Sequence, residues 1–132
     1  GGTTPIKEVI NYGSSPQKQG LIIMDTPGHD VESVTGMVAG GAHLVLFSTG
    51  RGTPTGSPIA PVIKIASNSA VYNQMKENID LNAGKIIDDD LSIEEFGGEM
   101  FSFAQQVING LSPAAEKLQQ LDVAINRIGP SL

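Results

Sequence analysis

The sequence has no cysteine, which excludes a disulfide framework, a thiolate zinc site and a Cys-ligated iron–sulfur cluster within this segment. Cations are few and scattered: 8 Lys and Arg stand against 14 Asp and Glu, for a net charge of −6 and a pI near 4.7. No basic stripe could neutralise successive phosphates, so nucleic acid is not expected as a partner. Long apolar runs are missing as well. Nothing approaches the roughly 20 residues that cross a bilayer, and no basic-then-apolar signal pattern opens the chain, so the expectation is a cytoplasmic protein without a membrane partner. Neither a solenoid repeat nor a low-complexity tract is present.

What remains suits one globular domain over residues 1–132: a hydrophobic fraction of 39 % and a charged fraction of 17 % belong to a chain that folds around one core. The first residues, Gly1-Gly2-Thr3-Thr4, include no initiator methionine, as expected of a fragment cut at a domain boundary.

Along the chain, short apolar runs alternate with helical patterns. Gly20-Leu21-Ile22-Ile23-Met24-Asp25 reads as a buried parallel strand ending near Asp25. Asp30 is expected to cap a helix whose Val31, Val34, Met37 and Val38 share a face, with Gly40-Gly41 as its stop. Ala42 to Ser48 reads as the next strand and completes a βαβ unit. Pro61 to Ala66 is expected to be a third strand, with Lys64 pointing away from its apolar neighbours. A short helix follows, on which Val71, Met75 and Ile79 align, and a fourth strand is expected within Leu81 to Ile87. Ser92 and Glu95 form a capping box ahead of Phe96, Met100, Phe103, Val107, Ile108 and Leu111 at helical spacing, with Gly110 at the end. Residues Val123 to Pro130 are expected as a docked extended tail. The alternation predicts an α/β fold with a Rossmann-like, mainly parallel sheet flanked by helices in three layers.

Three stretches carry candidate chemistry. Asp25-Thr26-Pro27-Gly28-His29-Asp30 resembles the Asp-Thr-Pro-Gly-His stretch of GTP-hydrolysing translation factors. The G-x-x-x-x-G-K-[ST] loop that must hold the phosphates is absent, so a GTPase is set aside. The stretch still gathers two carboxylates and an imidazole on a loop leaving a strand; the alternative is that Asp25 and Asp30 cap the turn and the helix, with His29 exposed. His43, beside an apolar strand, is read as structural or peripheral.

The second stretch is Thr49-Gly50-Arg51-Gly52-Thr53-Pro54-Thr55-Gly56, a loop at a strand's C-terminal end, where open α/β sheets bind ligands. Its glycines admit close approach to the backbone, and the Arg51 fork suits a carboxylate. Thr55 stands where a dinucleotide site needs its third glycine, so a nicotinamide cofactor is not expected. A plain structural turn, with Arg51 paired to a neighbouring acid, is the alternative. Asp88-Asp89-Asp90 lacks the alternation and glycine of an EF-hand and reads as a solvated turn.

Taken together, Gly1-Gly2-Thr3-Thr4-Pro5-Ile6, Met24 to Asp30, Thr35-Gly36-Met37-Val38-Ala39-Gly40-Gly41-Ala42, Leu46 to Gly56 and Arg127-Ile128-Gly129-Pro130 resemble segments of the C-terminal domain of altronate and galactarate dehydratases. The resemblance spans essentially the whole chain. It implies a hydro-lyase that converts a sugar acid to a 2-keto-3-deoxy acid by β-elimination, assisted by a divalent metal, iron or manganese, whose ligands the sequence does not identify. It implies as partners the sugar-acid substrate and the N-terminal and middle regions of a longer protein, with a homo-oligomer as the assembly. Within that frame Thr49, Gly50, Arg51, Gly52 and Thr53 are the expected substrate-binding residues, and Asp25, His29 and Asp30 the candidate proton carriers or polar supports. A family relative eliminates sulfite from a sulfonated hydroxy acid, which leaves the leaving group open. A structural or oligomerisation module without substrate contact is the reading from another class.

Overall fold

The computed structural model describes residues 2–124; the expected tail segment from Ile125 to Pro130, including the Arg127-Ile128-Gly129-Pro130 string, lies outside them. The chain divides into two compact units, one running up to His43 and taking in Asp122 to Ala124, the other covering Leu44–Leu121.

In the first unit, β1 (Ile6–Ile10) and β2 (Leu21–Met24) pair in parallel, with Ile6 opposite Leu21 and Val9 opposite Ile23. Helix α1 (Asp30–Ala39) follows and buries Val34, Gly36 and Val38. Gly36 lies under the Tyr12 ring so closely that a β-carbon there would overlap it, and the Tyr12 hydroxyl donates to the Glu32 carbonyl at 2.7 Å. The N-cap is His29, without a side-chain cap bond, and Asp30 is the first helical residue. The expected Asp30 cap is therefore not formed; its carboxylate instead sits in the first turn, where the helix dipole favours negative charge. The helix closes as expected at Gly40, with Gly41 at a φ of 108°, a left-handed conformation natural to glycine.

The second unit contains β3 (Val45–Thr49), β4 (Val62–Ala66) and β5 (Leu81–Asn82), all parallel in the order β3-β4-β5. Between and after them lie α2 (Ser69–Gln74), α3 (Lys85–Asp88), α4 (Ile93–Ile108) and α5 (Ala114–Lys117). The α/β class, with parallel strands and flanking helices, holds. The expected βαβ link from β2 to β3 does not join neighbours, because these strands belong to different sheets. The fourth strand is two residues long, and the rest of the stretch assigned to it is α3, nucleated where Gly84 turns the chain.

All five residues of β4 are buried. One face, Ile63 and Ile65, joins Leu81, Phe96, Ala104 and Val107 in the core, with Met100 and Phe103 packed against it. Each such side chain contributes about 1.5–3 kcal/mol by leaving water. The α4 stripe is thus the expected one except at Ile108, which is 70 % exposed, and Leu111, which is exposed beyond the helix end. The capping box forms on both sides, Glu95 N–H donating to Ser92 Oγ at 3.1 Å and Ser92 N–H to Glu95 Oε2 at 3.0 Å. Gly110 stands just past the helix at a φ of 103°. Lys64 points to the other face of β4, away from Ile63 and Ile65 as expected, and is 0 % exposed there. Ile79 is buried as expected, but beyond the end of α2 rather than on its face. Among the described residues no helix is long and apolar enough to cross a membrane.

Candidate functional site

Because its three strands are parallel, the second unit gathers their C-terminal ends at one sheet edge. Thr49 ends β3 there, Ser67 and Asn68 follow β4, and Ala83 and Gly84 follow β5. This is where parallel sheets place ligand sites, and it is where the glycine-rich loop leaves the sheet.

The loop has a defined shape. Thr49 Oγ1 accepts the Gly52 N–H at 3.0 Å, and the Thr49 carbonyl accepts the Ser67 N–H at 2.9 Å. Gly52 takes a φ of 84° and packs against Val71 and Met75, leaving no room for a side chain. Thr53 and Thr55 are buried and share a hydroxyl–hydroxyl bond of 2.8 Å. Gly50 and Arg51 are exposed, and among the described residues no acidic side chain forms an ion pair with Arg51. The arrangement is a buttressed turn that presents a guanidinium fork to solvent. Of the five expected substrate-binding residues, Thr53 turns its hydroxyl inward to Thr55, and the Thr49 oxygen closes the turn while its proton stays available as a donor.

Three residues of this unit, two at the edge and Asp80 beside the middle of β4, escaped the sequence reading. Asn68 is the N-cap of α2, accepting the Val71 N–H at 2.9 Å, and its Nδ2 donates to the Gly50 carbonyl at 3.1 Å. Asn82 Nδ2 donates to Ser69 Oγ at 3.0 Å while its Oδ1 accepts the Gly84 N–H at 3.0 Å. Asp80 accepts the Lys64 N–H and the Ala114 N–H, each at 2.8 Å. An Asn between two serines directly after an apolar strand is a cap signal that could have located Asn68; the others bridge positions too far apart to be read from spacing.

The Asp25 to Asp30 loop lies in the first unit, at the C-terminal end of its own parallel pair. The Asp25 N–H donates to the Ile10 carbonyl at 2.9 Å, and Ser33 Oγ donates to Thr26 Oγ1 at 3.1 Å. The side chains of Asp25, His29 and Asp30 are all exposed. The structure therefore keeps these three together on one loop and places the Thr49 to Gly56 loop in the other unit.

The Asp88 to Asp90 run is exposed, with Asp90 in the left-handed region at a φ of 53°. Among the described residues no three His, Asp or Glu side chains gather closely enough to hold a metal ion, so these residues alone do not fit a resident metal centre. An open apolar hollow in the first unit, lined by Ile10, Pro16, Ile22, Met24 and Met37, offers no group for acid–base work.

The chain is similar to known proteins along its whole length. The family model described as D-galactarate/Altronate dehydratase, C-terminal, matches residues 1–131. The chain is 34 % identical to altronate dehydratase of Bacillus subtilis over 131 residues, covering 99 % of this chain and 26 % of that protein. It is 40 % identical to galactarate dehydratase (L-threo-forming) of Escherichia coli over 109 residues, 83 % of this chain and 21 % of that protein. A more distant similarity, 29 % identity over 120 residues, links it to (2R)-sulfolactate sulfo-lyase subunit beta of Chromohalobacter salexigens, covering 91 % of this chain and 31 % of that protein. The chain thus spans about a quarter of the dehydratases it matches.

Proposed function

Because the chain belongs to the C-terminal family of D-galactarate and altronate dehydratases, we propose that it supplies the substrate-carboxylate clamp of a hydro-lyase acting on a hexarate or hexonate. The observation that carries this reading is the Thr49 to Gly56 turn, buttressed from beneath and carrying an exposed Arg51 at the C-terminal edge of a parallel sheet.

β-Elimination needs a base for the proton beside the carboxylate, positive charge to stabilise the enediolate, and an acid for the departing hydroxyl. The Arg51 fork pairs with the carboxylate in two parallel hydrogen bonds, which orients the α-carbon and draws charge toward the carboxyl as the proton leaves. The Thr49 hydroxyl donates a further bond. Thr53 shapes the turn through Thr55. Asp25, His29 and Asp30, exposed on their own loop, are the chain's candidates for carrying a proton or supporting one that moves. The product of water loss from such a substrate is a 2-keto-3-deoxy acid. An iron or manganese ion, held by residues outside this chain, would supply Lewis-acid chemistry to the reaction.

The similarity to a sulfo-lyase subunit leaves sulfite as the second candidate leaving group on the same scaffold. A purely structural role is favoured by a different observation, the exposed apolar side chains of β1 and β2. Arg51→Ala in the full-length enzyme, assayed for 2-keto-3-deoxy product from altronate and galactarate with ferrous or manganous ion, separates the readings. A clamp predicts a loss of kcat/KM of about a hundredfold, in line with one charge-assisted bidentate contact; unchanged kinetics in a folded variant leaves the scaffold role. The 132-residue chain by itself is expected to be inactive in the same assay.

A further inference from the structure

Lys64 is completely buried in the middle of β4, and the reaction proposed above makes no use of it. Its Nζ donates to Gln120 Oε1, and Gln120 Nε2 donates to Asn78 Oδ1 at 2.6 Å. Burial keeps the amine away from any substrate, and it costs solvation that an apolar side chain of similar length would not lose. What the amine holds is informative.

Gln120 is delivered by the turn that closes α5, in which the Gln119 N–H donates to the Glu116 carbonyl at 3.0 Å and the Gln120 N–H to the Ala115 carbonyl at 2.9 Å. The same turn closes α1 and α4 with Gly41 and Gly110 in the left-handed position, but here the residue is Gln119, at a φ of 55°. A side chain disfavours that conformation, so Gln120 is held in place against local backbone preference. Its backbone meets the loop: Gly56 packs so tightly on the Gln120 carbonyl that any β-carbon at position 56 would overlap it. Thr53 and Thr55, just before Gly56, are buried and bonded to each other.

We propose that Lys64 is a positioning residue for the anion-binding loop. By fixing Gln120 it sets the far end of the Thr49 to Gly56 turn, and thereby the aim of Arg51; this rests on reading that turn as the substrate clamp. Lys64→Met in the full-length enzyme is expected to raise KM for galactarate or altronate about tenfold while kcat changes less than about threefold. It should also speed amide exchange at Gly52, Thr53, Thr55 and Gly56 relative to β4. Gln120→Met should do the same, and the double variant should be no worse than either single one, since both break one chain of contacts.

Additive losses, or unchanged loop exchange in Lys64→Met, overturn the proposal. If Lys64→Met does not accumulate as folded protein, Gln120→Met decides alone, and unaltered exchange at residues 52–56 is then the overturning result. Arg51→Ala keeps the two ideas apart. Should it leave KM unchanged while Lys64→Met still loosens the loop, the clamp reading has failed and the pinning stands. Should it raise KM while Lys64→Met moves neither KM nor exchange, the positioning role alone has failed.

Discussion

Every residue of β4 in the second unit is buried, whereas Val9 and Ile23, which face each other across β1 and β2 in the first unit, are 69 % and 43 % exposed. Both sheets are parallel, and parallel sheets are normally covered on both faces. The second unit achieves this with its own residues: α4 covers Ile63 and Ile65, and the Pro113 to Gln120 segment covers Lys64. The first unit has two strands and one helix, too little to close a core unaided. The contrast teaches that self-sufficiency is unevenly spread along this chain, and that the first unit leaves an apolar face of the kind that further polypeptide buries. The dehydratases matched are about four times longer than this chain.

The contrast can be broken or sharpened by mutation. Ile63→Ala removes a fully buried side chain from the second unit's core and is expected to cost about 3 kcal/mol in urea unfolding; a loss under about 1 kcal/mol would mean that the core lies elsewhere. Gln119→Gly removes the side chain from a left-handed position and should stabilise the second unit by about 0.5 kcal/mol, the backbone relief partly offset by glycine's greater freedom when unfolded. The paired change Val9→Thr with Ile23→Thr should shift stability of this chain by no more than about 1 kcal/mol, because both side chains are exposed and keep much of their surface in water. A loss comparable to that of Ile63→Ala would erase the difference between the units.

The smallest effect concerns pH. The Ser92 hydroxyl and backbone N–H both donate to Glu95, holding its carboxyl below the ordinary value of 4.5. A depressed folded value means that this contribution is fully present above the ordinary value and is lost as pH falls through the folded one. Acid titration of α4 helicity should therefore show a loss beginning below pH 4.5, and Ser92→Ala should flatten that part of the profile.

Much of the fold could be read in the sequence where local chemistry decides the outcome. The capping box at Ser92 and the glycine stops at Gly41 and Gly110 are satisfied within a few residues, and the apolar run through β4 can be nothing but buried. Strand β1 was not anticipated because Lys7 and Glu8 interrupt its apolar pattern, which suits a strand exposed along much of its length. The loop at the end of β3 was legible from its glycines and threonines, but its supports were not. Asn68 reaches Gly50 across 18 positions, Asn82 reaches Ser69 across 13, and Lys64 reaches Gln120 across 56. Such pairings depend on how the strands stack, which no spacing rule encodes. The Asp30 cap failed for a simpler reason: His29 already occupies the cap position, so the acid moves into the first turn.

The bond between Lys64 and Gln120 also orders events in time. During synthesis the lysine emerges 56 residues ahead of its partner, a delay of roughly 3 to 11 s at ribosomal speed. Through that interval β3 and β4 can already align, yet Gly56 has no carbonyl to rest on. The Thr49 to Gly56 loop is thus among the last features of the nascent chain to take its shape, and a product truncated before Gln120 would present the sheet edge with that loop unfinished.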